Sequence, residues 1–220
     1  MVKLPFTDRT EAGRLLGAEL ARRKLPGHVI VLALPRGGVP VGFEVAKILH
    51  APLDVVVVRK IGVPFEPELA MGAIAGTSVE VLDQRLIDEF RISQKQIEAV
   101  LAKERAEVQR REKLYRGDRP ALDLHDQTAL LVDDGLATGS TMVAAARYVC
   151  ALKPVKTIIA VPVGSIGACE RLQKEADELV CLATPESFFA VGEWFVHFPQ
   201  LDDKQVQNIL EESRLSAVIK

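Results

Sequence analysis

Short apolar runs separated by stretches of helical periodicity constrain this chain more than any other feature. Val29–Leu34, Asp54–Val58, Ala129–Val132, Thr157–Val163 and Glu178–Leu182 each read as a buried strand. Between and around them, Thr10–Lys24 carries apolar residues at 12, 15, 16 and 20, a helical spacing. Val41–Leu49, Thr141–Leu152 and Ala168–Ala176 also read as helices, Asp202–Leu215 as an amphipathic one, and Gly72–Ala75 and Val79–Leu82 as further short strands. Strands that are apolar along their whole length must be covered on both faces. The expectation is therefore an α/β fold with a mostly parallel sheet flanked by helices. Such sheets bind ligands in the loops at the carboxyl ends of their strands.

One stretch is longer than the rest. Ser93-x-x-Gln96 reads as a capping box opening a helix to about Tyr115, with residues 97, 101, 108 and 115 on one stripe. Seven basic and four acidic residues between Lys103 and Arg119 give a local charge of about +3. The pattern is that of a solvated amphipathic helix packing on the core or on a second subunit, as in a homodimer. The sharper alternative has Arg110, Arg111 or Arg116 reaching a phosphate-rich ligand.

The chain as a whole excludes several classes. Its net charge of −2 gives no reason to expect nonspecific nucleic-acid binding. Cys150, Cys169 and Cys181 form no Cys-x-x-Cys pair and are expected to be reduced, buried thiols of a cytoplasmic protein. His28, His50, His125 and His197 are too far apart in sequence to look like a structural zinc site. Met1–Thr10 has no apolar run of signal length, and no segment is apolar enough for membrane insertion.

The chemistry concentrates in Leu130-Leu131-Val132-Asp133-Asp134-Gly135-Leu136-Ala137-Thr138-Gly139-Ser140-Thr141. A hydrophobic strand ends in two carboxylates, and a small, hydroxyl-rich loop then opens a helix. Backbone N–H groups at that helix start attract a phosphate. The hydroxyls of Thr138, Ser140 and Thr141 add donors, and Gly139 lets the backbone come close. The carboxylates suit hydroxyl groups, which donate to them. A ligand with a phosphate and a nearby vicinal diol fits both halves, and ribose 5-phosphate is one. A Walker-type ending is absent. The bland counterpart is a helix start with an acidic turn that binds nothing. A second stretch, Leu34-Pro35-Arg36-Gly37-Gly38, has the makings of an anion nest, although taken alone it is a turn.

The run Val132–Thr141 resembles the phosphoribosyl pyrophosphate motif of type I phosphoribosyltransferases. The resemblance implies that Asp133 and Asp134 hold the ribose hydroxyls and that Ala137, Thr138, Gly139, Ser140 and Thr141 hold the 5-phosphate. Arg36, Gly37 and Gly38 match the family's pyrophosphate loop, which often holds a non-proline cis peptide, expected here near Arg36–Gly37. Mg²⁺ is implied as cofactor, held mainly by substrate oxygens and water. A single domain over residues 1–220 is expected, with a core of about 28–182, an insertion at about 84–116 and a small hood mainly from 183–220.

Arg59 and Lys60 would stand at the end of the strand Asp54–Val58, placed for a pyrophosphate. The following segment would be a lid, with Glu66 or Glu68 the candidate acid or base. Phe188–Phe198 holds five of the chain's eleven aromatic residues, and Trp194 is the candidate to stack an acceptor base. In 6-oxopurine enzymes the position of Ala137 is usually an Asp, so Ala137 counts against hypoxanthine or guanine, and the motif looks more like that of adenine enzymes. The partners implied are phosphoribosyl pyrophosphate and a small nitrogenous acceptor. A non-catalytic regulator that binds phosphoribosyl pyrophosphate remains the alternative.

Overall fold

A computed structural model of the protein describes residues 2–76 and 79–218, apart from the side chains of Glu68 and residues 216–218. The elements are α1 (Arg9–Ala21), β1 (His28–Ala33), α2 (Gly38–Leu49), β2 (Leu53–Val55), β3 (Val58–Val63), β4 (Glu66–Ala75) and β5 (Val79–Leu82). They continue with α3 (Gln84–Glu89), α4 (Gln94–Arg116), β6 (Gln127–Val132), α5 (Ser140–Ala151), β7 (Lys156–Val163), α6 (Ile166–Leu172), β8 (Glu178–Ala183) and α7 (Asp203–Val218).

Five strands form a sheet in the order β2-β1-β6-β7-β8, and every pairing in it is parallel. Residues alternate between two apolar layers. Val31, Ala33, Leu130, Val132, Ile158 and Ala160 pack with residues of α1, α2, α4 and α7. Leu32, Leu131, Ile159 and Val161 pack with residues of α5 and α6 on the other face. Burial on both faces is why these strands read as unbroken apolar runs. Each fully buried Leu or Ile contributes about 1.5–3 kcal/mol relative to an exposed one.

Local signals explain the helix starts. The Asp8 carboxylate caps α1 by accepting the Glu11 N–H at 2.9 Å. At α4, the Gln96 side chain accepts the Ser93 N–H at 2.9 Å. Ile97, Leu101, Val108 and Tyr115 form the buried stripe of α4, as their spacing predicts. The short helix α3, capped by Asp83, was not anticipated.

The expected strand Asp54–Val58 is corrected. β2 ends at Val55, the chain bends, and β3 starts a separate antiparallel sheet, β3-β4-β5. Val55, Val56 and Val57 are all buried, so hydrophobicity does not mark the bend. Arg59 and Lys60 consequently lie inside an antiparallel ladder, paired with Ile74 and Ala73, and not at the carboxyl end of a parallel strand. The segment expected as a lid is the β3–β4 hairpin, anchored by buried Ile61, Val63, Met71 and Ile74.

Residues 6–7, near the start of the chain, meet residues 194–197 beyond β8. Phe6 donates its N–H to the Trp194 carbonyl at 2.8 Å, and Val196 and His197 donate theirs to the carbonyls of Phe6 and Thr7 at 2.8 and 2.9 Å. Phe6, Ala12, Val163 and Phe195 form a small buried cluster there, with Phe188, Val191, Trp194 and Phe198 against it. Helix α7 does not join that layer. Its Val206 and Leu210 pack into the main core, and it contacts α2, α4 and β2 instead.

Candidate functional site

β1 and β6 are adjacent, with Ala33 opposite Val132, so the loops that follow them emerge side by side. The contact between these loops is tight. A Cβ on Gly37 would lie 2.1 Å from Asp134 Oδ2, and one on Gly38 would lie 2.6 Å from the Val132 carbonyl oxygen. Only residues without a side chain allow the Arg36–Gly38 loop to rest directly on the acid pair. The non-proline cis peptide is Pro35–Arg36, one bond earlier than expected. The Arg36 side chain is exposed.

Burial works against charge on the acid pair. The Asp133 carboxylate accepts the Asp134 N–H at 2.8 Å. Asp134 Oδ2 accepts from Arg9 Nε at 2.8 Å, both side chains being nearly enclosed. Burial, and next the charge of Asp134, push the Asp133 carboxyl well above the usual carboxylate range. Burial also raises Asp134, but the neighbouring Arg9 guanidinium opposes it. Two carboxyls with one counter-charge form a site that prefers a donor-bearing ligand.

The third wall is the start of α5. Gly139, with φ of 76°, is its N-cap, and no side chain caps the helix. The Ser140 N–H makes a long contact with Thr138 Oγ1 at 3.5 Å, and the following first-turn N–H groups remain available to an anion. Ala137, Thr138 and Thr141 are exposed, Ser140 is half-buried and Gly139 is buried. The hydroxyls of Thr138 and Ser140 lie 3.4 Å apart. From the far side, Ser165 Oγ donates to the Ala137 carbonyl at 2.6 Å, and Leu136 donates its N–H to the Val163 carbonyl at 2.9 Å. The end of β7 thus fixes this loop. A cleft of about 440 Å³ between the β4–β5 hairpin and α5 reaches Ser140 and is also lined by Gly72, Asp83, Val143 and Arg147.

Asp133, Asp134, Gly37 and Gly38 are therefore in contact, with Arg36 next to them in the chain and the loop Ala137–Thr141 following the acid pair. Arg59 is drawn elsewhere: its Nε donates to Glu104 Oε2 on α4 at 2.8 Å. Lys60 is exposed on β3. Glu68 lies on β4, and its side chain falls outside the described residues. Trp194 packs against Phe188 with ring centroids 6.0 Å apart, and its indole Nε1 is buried without a hydrogen-bond partner. The arginines of α4 are engaged: Arg110 and Arg111 with Glu107, Arg116 with Asp54 and the Pro120 carbonyl.

The residue that sequence reasoning missed is Arg9. A signal was available: it is the first residue of α1, where the helix dipole disfavours a cation. A basic residue in that position calls for an acid partner from elsewhere in the fold.

Residues 15–195 match the family model described as a phosphoribosyl transferase domain. "Putative phosphoribosyl transferase Rv0571c" of Mycobacterium tuberculosis strain H37Rv is 47% identical over 209 residues, covering 94% of this chain and 47% of its own length. Its counterpart in strain CDC 1551 matches equally well. The chain thus spans about half the length of the curated relatives it matches. Among solved structures, that of TT1426 from Thermus thermophilus superposes with a TM-score of 0.80 at 41% identity, covering 95% of this chain and 99% of the other.

Proposed function

The chain belongs to the phosphoribosyl transferase domain family, and from that premise we propose that it binds phosphoribosyl pyrophosphate and transfers the 5-phosphoribosyl group to a nitrogen acceptor. The observation that carries the reading is the contact of the Arg36–Gly38 loop with Asp133 and Asp134, beside the uncapped start of α5. Three ligand groups match three neighbouring features. The 5-phosphate meets the N–H groups and hydroxyls of Ala137–Thr141. The ribose diol donates to the acid pair. The pyrophosphate lies over the amides of Arg36–Gly38, with the Arg36 guanidinium at hand.

In the reaction the bond from ribose C1 to the pyrophosphate oxygen breaks, and a bond from C1 to the acceptor nitrogen forms. Positive charge develops at C1, so the protein's contribution is positioning and electrostatics. The acid pair fits a cation-bearing sugar phosphate, because two carboxyls share a single guanidinium. Mg²⁺, held mainly by substrate oxygens and water, would neutralise the charge of the departing pyrophosphate. Lys60 and the β3–β4 hairpin are the proposed cover. Glu68 is the proposed proton acceptor and Trp194 the proposed ring platform, in a hood formed where Phe6–Thr7 meets Trp194–His197.

A second reading, a regulator that binds the same ligand without turnover, is favoured by one observation. Arg59, expected over the pyrophosphate, is committed to Glu104. Titration calorimetry with phosphoribosyl pyrophosphate and Mg²⁺ tests the site. Binding that is lost in both Asp133→Asn and Asp134→Asn supports it, and unchanged affinity in both sinks it. A pyrophosphate-release screen over bases and amines then separates enzyme from regulator.

A further inference from the structure

Arg9 is 8% exposed and stands at the first position of α1. Burial and the helix dipole both disfavour a cation there. Three contacts offset that cost. Arg9 Nε donates to Asp134 Oδ2 at 2.8 Å, Nη1 donates to the Pro199 carbonyl at 2.8 Å, and Cζ lies 3.7 Å from the Phe198 ring centroid. Phe198 in turn stacks on Phe195 at 5.0 Å, and Phe195 bridges to Phe6. One guanidinium therefore joins Asp134 to the layer in which residues 6–7 meet residues 194–197.

We infer that Arg9 is a positioning residue for the acid pair: it holds Asp134 by one carboxylate oxygen and makes that grip depend on how Phe198 and Pro199 are seated. Asp134 has two further neighbours, Asp133 of its own loop and the Gly37 backbone of the loop after β1. The chain at Phe198–Pro199 presents its ring and carbonyl to Arg9. Arg9 is the counter-charge that favours ionised Asp134. Removing it leaves two neighbouring carboxyls to repel each other, so Asp134 holds its proton to higher pH. A protonated Asp134 is a poorer acceptor for a sugar hydroxyl. The ligand consequence rests on the proposed sugar-phosphate site, whereas the effect on Asp134 rests on the protein alone.

The test has two arms. Carboxyl-carbon NMR, with Asp134→Asn to assign the resonance, follows the titration of Asp134 in the free wild type, Arg9→Lys and Arg9→Met. We expect Asp134 to titrate at higher pH in Arg9→Met and at an intermediate pH in Arg9→Lys. Identical titrations overturn the inference. Should Arg9→Met not fold, Phe198→Leu keeps Arg9 and removes the ring that lies against its guanidinium and against Phe195. A smaller upward shift in that variant supports the inference, and no shift overturns it. In the second arm, calorimetry with phosphoribosyl pyrophosphate and Mg²⁺ compares the same proteins. Arg9→Met is expected to bind on the order of tenfold more weakly near pH 8, the loss typical of a charge-assisted bond, and weaker still near pH 6. Arg9→Lys should recover part of the loss. An equal loss at both pH values without rescue by lysine marks a merely structural residue and overturns the inference. A wild type that shows the Arg9-dependent titration but binds no phosphoribosyl pyrophosphate supports the positioning role and defeats the proposed function instead.

Discussion

Around the antiparallel sheet and α4, Arg59 is bonded to Glu104, Arg105 to Glu80, Arg110 and Arg111 to Glu107, and Arg116 and Arg119 to Asp54. At the carboxyl edge of the parallel sheet, two adjacent carboxyls share Arg9, Arg36 is exposed, and a helix begins with no cap. Each of these six arginines has a carboxylate partner, whereas in the second region two carboxyls share one guanidinium. Mutually satisfied pairs hold a surface together and have little left to offer a ligand. An unbalanced, half-enclosed cluster costs stability in the free protein, which is the usual mark of a site kept for binding.

The sharpest way to break this contrast is Gly37→Ala. The new methyl would sit where Asp134 Oδ2 now lies, 2.1 Å from the ideal Cβ position. Asp134 must then turn away from Arg9. We expect affinity for phosphoribosyl pyrophosphate to fall on the order of 100-fold, with a stability cost of about 1–3 kcal/mol from overpacking. Calorimetry and thermal unfolding read both, and an unperturbed affinity would show that the two loops do not act together.

Glu104→Ala probes the balanced region. Glu104 is 8% exposed and its partner Arg59 is about one-third exposed, so the loss should be about 1–2 kcal/mol, well short of a fully buried pair. Chemical denaturation should register that loss while ligand affinity stays within error. A large drop in affinity would mean that α4 belongs to the site after all.

Asp133→Asn should have the smallest effect on the free protein, and of the opposite sign. The folded-state carboxyl is raised above its unfolded value, so the native state binds the extra proton, and stability falls as pH rises into the window above the ordinary carboxylate range. Asparagine removes the buried charge and can still accept the Asp134 N–H. Stability near pH 8 should therefore rise on the order of 1 kcal/mol, with the gain vanishing as pH falls below about 4. Thermal melts across pH check this, and a variant less stable than wild type at high pH would remove the charge imbalance on which the contrast stands.

Much of this architecture was written locally. Apolar runs such as Leu130–Val132 declare strands because both of their faces must be covered, and the step from Val132 through Asp133 and Asp134 to Thr141 declares a strand, an acidic turn and a helix start from residue chemistry alone. Local pattern did not reveal where the chain leaves one sheet for another, since Val55, Val56 and Val57 are equally buried on either side of the bend. Nor did it reveal partners distant in sequence. Arg59 looked free until α4 brought Glu104 against it, and Arg9, just before the helix read from Thr10, showed no role until the fold set it against Asp134, 125 positions away. Residue type and spacing determine what a segment can form and what chemistry it can offer. Which charges remain uncompensated depends on three-dimensional proximity, because the electrostatic and hydrogen-bond forces that neutralise them act across space and not along the chain.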